Sequence, residues 1–198
     1  MSPTIPSRAP RMSVEDRRER ILDVAIPLLL DNGVDVPTRQ IADAAGIAEG
    51  TLFRAFEDKN ALIDAALARV MDPADILEQL EQIDRELPLE DKVARIVELL
   101  HERVQRVVRF MSVLGPRDHA RHHGGQPHRR PPLEESTGVA LRLLEPHRKE
   151  LRVDPKDAVD YLRVLVFGTS MPFLRSGREI TPVELSDFIL RGIAKEGQ

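Results

Sequence analysis

Between successive prolines and glycines, the apolar residues of this chain recur at three- and four-residue spacing, and valine, isoleucine and threonine never form a sustained run of period two. That rhythm fits one face of a helix and not the alternating faces of a strand, so the chain reads as all-α. The punctuation supplies boundaries. Ser13, with Asp16 three residues on, starts a helix that buries Ile21, Ala25, Leu28 and Leu29 and stops at Asn32-Gly33; Pro27 inside it removes one amide and predicts a kink. Asp72-Pro73, Asp154-Pro155 and Thr181-Pro182-Val183-Glu184 each place a capping side chain before a proline at the first helical position. From Leu89 to Leu114, the residues Val93, Ile96, Val97, Leu100, Val104, Val107, Met111 and Leu114 form one continuous apolar stripe, the mark of a core helix. Further helices are expected from about Glu134 to Glu145, Pro155 to Arg175 and Pro182 to Lys195.

A chain of 198 residues accommodates one helical body and a small appended module. Apolar residues make up 41% and charged residues 31%, a balance that supports a buried core. No stretch approaches the roughly twenty apolar residues of a membrane span, and MSPTIPSRAPRMS lacks the apolar centre of a signal peptide, so a cytoplasmic protein with no membrane partner is expected. With no cysteine, disulfides, thiolate nucleophiles and sulfur-based zinc sites are excluded. The net charge of -4 offers no bulk basic footprint for a nucleic acid. Through Asn60, Arg8, Arg11, Arg17, Arg18, Arg20, Arg39, Arg54 and Lys59 face ten acidic residues. Any DNA-binding role must rest on placement.

Placement is what Thr38 to Phe56 provides. The run TRQIADAAGIAEGTLFRAF reads as two short helices around a glycine-centred turn, which is the grammar of a helix-turn-helix. Thr38 can cap the first helix, Ile41 and Ala45 face inward, Ala42 is small where two helices cross, and Gly46 can take the left-handed conformation of the turn. Leu52 and Phe56 return the second helix to the same small core, leaving Glu49, Gly50, Thr51, Arg54 and Ala55 outward. A short helix exposing such a face fits the major groove.

From Glu19 to Leu67 the chain resembles the TetR family of transcriptional regulators. The likeness lies in Ile21-Leu-Asp-Val-Ala, Gly33, Thr38, Ile41-Ala42, Ala45-Gly46-Ile47, Gly50-Thr51-Leu52-Phe53, Phe56 and Lys59-Asn-Ala-Leu62. The resemblance implies a homodimer on a palindromic double-stranded operator, released by a small-molecule effector that binds a helical body. It assigns phosphate contacts to Thr38, Thr51 and Lys59 and base contacts to Arg39, Glu49, Gly50 and Arg54. Phe53 stands where the family carries a tyrosine whose hydroxyl reaches phosphate, so it joins the interface by packing, and Ala55 replaces a larger family residue. The expected organisation is a flexible basic, proline-rich tail over 1–13, a DNA-binding domain over 14–60, and a ligand-binding and dimerising domain over 61–198.

Gly115 to Pro132 (GPRDHARHHGGQPHRRPP) is almost free of apolar residues and reads as a mobile loop. His119, His122 and His123 lie in it, but with Arg117, Arg121, Arg129 and Arg130 and few carboxylates alongside, a basic loop is the better reading than a metal site. Ser170 in Gly-Thr-Ser-Met-Pro is no hydrolase elbow, and neither a zincin motif nor a phosphate loop occurs, so no enzyme and no cofactor is expected. A helical adaptor that binds no specific DNA is the alternative class. In the body, Leu162, Leu165, Leu185, Phe188, Ile189 and Ile193 are expected to form a four-helix interface with a second copy. Val107, Phe110, Met111, Leu114, Tyr161, Leu165 and Phe173 are expected to line a mostly apolar effector cavity.

Overall fold

The computed structural model describes residues 13–122, 133–174 and 177–195, with side chains left out at 115–122 and 133–135. The described residues are helical: α1 (Val14–Asn32), α2 (Thr38–Ala44), α3 (Glu49–Ala55), α4 (Lys59–Met71), α5 (Ala74–Glu81), α6 (Leu89–His122), α7 (Leu133–Leu144), α8 (Pro155–Ser170) and α9 (Pro182–Ile193). The all-α expectation holds. An isolated antiparallel bridge, Leu151 with Ala194, is the one β-type pairing among them.

The chain divides into two compact units after Ala68. Sequence placed the division at 60/61; it falls further along because Leu62, Ile63 and Ala66 of α4 are buried yet stand outside the apolar cluster of the second unit. In the first unit α1, α2 and α3 pack on one another around Ile21, Leu22, Ala25, Leu29, Ile41, Leu52 and Phe56. The capping box expected at Ser13 and Asp16 is present, and Gly33, at φ 77°, ends α1 with its amide on the Leu29 carbonyl. Helix α1 continues through Pro27.

The second unit is organised on α6, which packs against α5, α7, α8 and α9. Val93, Ile96 and Val97 of α6 meet Leu143 and Leu144 of α7, Val159 and Leu162 of α8, and Leu185 and Ile189 of α9 in one cluster. Each such side chain contributes roughly 1.5–3 kcal/mol by leaving water. Two of the three expected caps recur: Asp154 accepts from the Lys156 amide, and Thr181 and Glu184 form a capping box; Asp72 accepts from the Ala74 amide, but Pro73 holds the capping position and α5 starts one residue later than anticipated. At the C-terminal end of α4, Arg103 of α6 donates to the Val70 carbonyl at 2.7 Å. Burial, then the neighbouring Arg106, pulls the Arg103 guanidinium below its ordinary pKa, opposed by Asp75 and Asp72.

Three boundaries depart from expectation. Helix α6 runs on to His122, through Pro116 and eight residues into the stretch read as a loop; extending a nucleated helix costs far less than starting one, and a proline removes a single bond. The rest of that loop, 123–132, with His123, Arg129 and Arg130, lies outside the described residues. Helix α8 stops at Ser170 and not near Arg175, because Met171 before Pro172 is pushed to an extended conformation (φ -80°, ψ 118°). Helix α9 stops at Ile193, short of Lys195, where the backbone turns to pair with 150–152.

Candidate nucleic-acid interface

Helices α2 and α3 are joined by Ala45, Gly46, Ile47 and Ala48. The Ile47 amide donates to the Ala42 carbonyl at 3.0 Å and the Gly46 amide to the Asp43 carbonyl at 3.1 Å, a Schellman closure with Gly46 at φ +67°. Only glycine takes that conformation without strain, so the turn angle of the motif is encoded at one residue. Behind the turn, Ile41, Ala42 and Leu52 are fully buried, and the small Ala42 lets the two helices approach.

Along α3 the buried residues are Leu52 and Ala55, with Phe56 just beyond the helix, and the exposed ones are Glu49, Gly50, Phe53 and Arg54. Spacing of one and four places those exposed residues on a single stripe, flanked by half-buried Thr51. Ala55, expected to face outward, is buried at 7% exposure, because it closes α3 onto the small core beside Phe56. Ala45, expected inward, is only half-buried. Arg39 is exposed on α2 and Lys59 half-exposed at the start of α4. Arg39, Arg54 and Lys59 form no hydrogen bond or ion pair with any other described residue, so their cationic groups are open to a ligand. The anticipated cap by Asp58 is present, its Oδ1 accepting from the Ala61 amide at 2.7 Å.

Thr38 does not cap α2. Pro37 holds the capping position, and the Thr38 hydroxyl donates instead to Glu49 Oε1 at 2.6 Å, across the motif to the first residue of α3. Of the eight residues read from sequence, this pair is joined directly; Gly50, Thr51, Phe53 and Arg54 share the helix with Glu49, and Arg39 follows Thr38 on α2. Sequence reading missed Arg18. Its guanidinium lies 4.5 Å from the Phe56 ring centroid and donates to the Ala55 carbonyl at 2.7 Å, anchoring the end of α3 to α1. No local pattern announces a contact between residues 37 apart.

In the second unit the seven candidate effector residues separate. Phe110 and Leu114 are buried and Val107, Met111 and Leu165 half-buried, whereas Tyr161 is 53% and Phe173 81% exposed. Tyr161 and Phe173 therefore line no enclosed cavity of the single chain: Tyr161 points away from the α8 core face, and Phe173 sits in the short turn after Pro172. The shallow depression by Asp75, Ile76, Gln79, Leu99, Glu102, Arg103 and Arg106 mixes charged and apolar residues and involves none of the seven.

A glycine-turned helix pair with an open, cation-bearing second helix, set before an all-helical body, is the arrangement of a helix-turn-helix. The family described as bacterial regulatory proteins, tetR family, is matched over residues 21–66, which hold the two helices and the glycine turn between them. It is 35% identical over 72 residues to the nucleoid occlusion factor SlmA of Actinobacillus pleuropneumoniae, a match covering 35% of each chain. It is 40% identical over 57 residues to the HTH-type transcriptional repressor KstR2 of Rhodococcus jostii, covering 28% of each. The chain thus matches about a third of the length of these curated relatives. Its fold is similar to that of the TetR transcriptional regulator SCO0520 from Streptomyces coelicolor, with a TM-score of 0.60 and 22% identity over 91% of this chain and 99% of the other.

Proposed function

We propose that this protein is a sequence-specific DNA-binding repressor that grips a palindromic operator as a homodimer and is released by a small, mostly apolar effector in the cytoplasm. The observation that carries the reading is the exposed stripe of α3, where Arg54 has no partner among the described residues and stands opposite the face that Leu52 and Ala55 bury. Arg39 and Arg54 read base edges, since a planar guanidinium fork takes guanine through two bonds. Thr51 and Lys59 hold the backbone; because Asp58 already occupies the Ala61 amide, Lys59 acts through its ammonium and not with that helix end.

The homodimer rests on a set of residues that shares only Phe188 with the one first expected. Leu162, Leu185, Ile189 and Ile193 are buried in the chain's own core. Tyr161, Val164 and Phe167 on α8 and Val183 and Phe188 on α9 are exposed, and an apolar face of this extent is covered by a twofold mate. The effector acts beside Val107, Met111 and Leu165. Helix α4 carries its displacement, being one continuous helix across Ala68 whose last turn Arg103 holds to α6.

The test is a fluorescence titration of labelled operator and scrambled duplexes at several salt concentrations. Arg54→Ala is expected to cost about 1–3 kcal/mol at one operator position and relax discrimination there. Lys59→Ala is expected to weaken both duplexes alike and reduce the salt slope by about one. Failure of the unaltered protein to shift any duplex at low salt returns the chain to the adaptor class.

A further inference from the structure

The bond between Thr38 and Glu49 changes what each residue can do at a DNA surface. A threonine hydroxyl carries one proton. In this structure that proton is given to Glu49 Oε1 at 2.6 Å, so Thr38 has none left for a phosphate, and what it shows an approaching anion is a lone pair beside a carboxylate. Both features repel phosphate. Glu49 gains what Thr38 loses. Its side chain, exposed at the tip of α3, would otherwise sample many rotamers and surrender that freedom on contact; held at Oε1, it is ordered before DNA arrives. Oε2 accepts from no other described residue. Beside it, Gly50 leaves open space: apart from its chain neighbours and its own helix backbone, no atom lies within 4 Å of where a Cβ would stand.

A carboxylate offered to the major groove is an acceptor only. It is attracted by the exocyclic amino group of cytosine and repelled by the O6 and N7 of guanine and the O4 of thymine; the adenine amino group comes with an N7 acceptor beside it. We propose that Glu49 is a base-reading acceptor selective for cytosine and that Thr38 is its positioning residue, not a phosphate anchor. This rests on the DNA-binding reading above and specifies how one operator position is chosen. It also explains an acidic residue on a surface that must approach a polyanion: the charge disfavours random sequence and is compensated only where a donor faces it.

Selection from a fully randomised duplex pool tests it, using the full chain and its Glu49→Ala, Thr38→Val and Thr38→Ser variants, followed by titration of the enriched and random duplexes. The unaltered protein should enrich a motif with cytosine at one position of each half-site. Glu49→Ala and Thr38→Val should each flatten that same position, losing about tenfold discrimination there and leaving the other positions intact. Thr38→Ser, which keeps the hydroxyl, should retain the cytosine. Glu49→Ala should also bind random duplex more tightly, because a negative charge has left the interface. A Thr38→Val motif identical to the original, with affinity lowered equally on both duplexes, would make Thr38 a phosphate contact and overturn the proposal. So would a Glu49→Ala motif unchanged at every position. If the unaltered protein enriches no motif, the DNA-binding reading itself falls; an enriched motif with unaltered variants sinks this inference alone.

Discussion

At the scale of single residues, the most deeply buried charged side chain among the described residues is Lys92, a lysine on the core helix α6 with 1% of its surface exposed. An ammonium so placed needs its protons bonded. Nζ donates to the Arg85 carbonyl at 2.5 Å and lies 2.9 Å from His147 Nε2, while His147 Nδ1 lies 2.7 Å from Glu150 Oε1. An ammonium can only donate, so Nε2 accepts and Nδ1–H points to Glu150, which fixes the imidazole tautomer. The asymmetry of buried polar groups then sets an order. His147→Phe strands the lysine with one partner and should cost roughly 1–3 kcal/mol, whereas Lys92→Met removes the charge together with its need and should cost less. On the Lys92→Met background the His147 substitution should become nearly silent. Urea denaturation of the two single variants and the double variant measures this; a His147→Phe cost unchanged by Lys92→Met would show the pair to be uncoupled. Nothing in the sequence marks Lys92, because its partners come from the α5–α6 connection and from beyond α7, and local periodicity carries no information about them.

At the scale of elements, helix starts are more legible than helix ends in this chain, since a cap is determined within four residues, although Pro37 holds the capping position of α2 without the cap expected from Thr38. Ser13 with Asp16, Asp154 before Pro155, and Thr181 with Glu184 all cap as their residue types dictate. Helix ends are less legible: α6 outruns its apolar stripe, and α9 is stopped by pairing of Ala194 with Leu151, a residue far earlier in the chain. The start of α9 also titrates. The Arg178 guanidinium, then the Thr181 amide and hydroxyl, hold the Glu184 carboxyl at about 2 against an ordinary 4.5. Because the folded value lies below the unfolded one, the stability Glu184 contributes is complete above about 4.5 and is lost as pH falls towards about 2. The Glu184→Gln variant keeps a neutral side chain of the same reach but has no charge to lose. Its deficit in melting temperature relative to the unaltered protein should therefore be present at neutral pH, shrink through that window and vanish at its acidic end. A deficit independent of pH would assign the contribution to shape and not to charge. Exposure of the group keeps the effect small.

At the scale of the whole molecule, the helix-turn-helix was legible and the proposed self-association face was not, for one physical reason. Within residues 38 to 59 the glycine turn and the small crossing residue follow from spacing alone, whereas the exposed stripe follows only in part: spacing puts Ala55 in it, which the structure buries, and omits Phe53, which the structure exposes. A helix such as α8, however, carries apolar residues on two faces, and spacing does not say which face the chain covers with its own helices. Leu162 and Val166 go to the core, whereas Tyr161, Val164 at 70% exposure and Phe167 stay outside. On α9, Leu185 and Ile189 are buried while Phe188, expected at the interface from the start, is 65% exposed. The two classes of substitution should consequently behave differently. Leu185→Asp places a charge in the core and should unfold the body, whereas Phe188→Asp or Phe167→Asp should leave helicity and melting of the single chain intact and, by charging both sides of a twofold contact, yield a monomer at micromolar concentration in sedimentation. A monomer has one reading head. It should keep its preference for a half-site, yet lose the gain in affinity that a full palindrome gives the dimer, because the second head no longer arrives at high effective concentration. A Phe188→Asp, Phe167→Asp double variant that still sediments as a dimer, or that binds the palindrome as tightly as before, would move the self-association face away from α8 and α9.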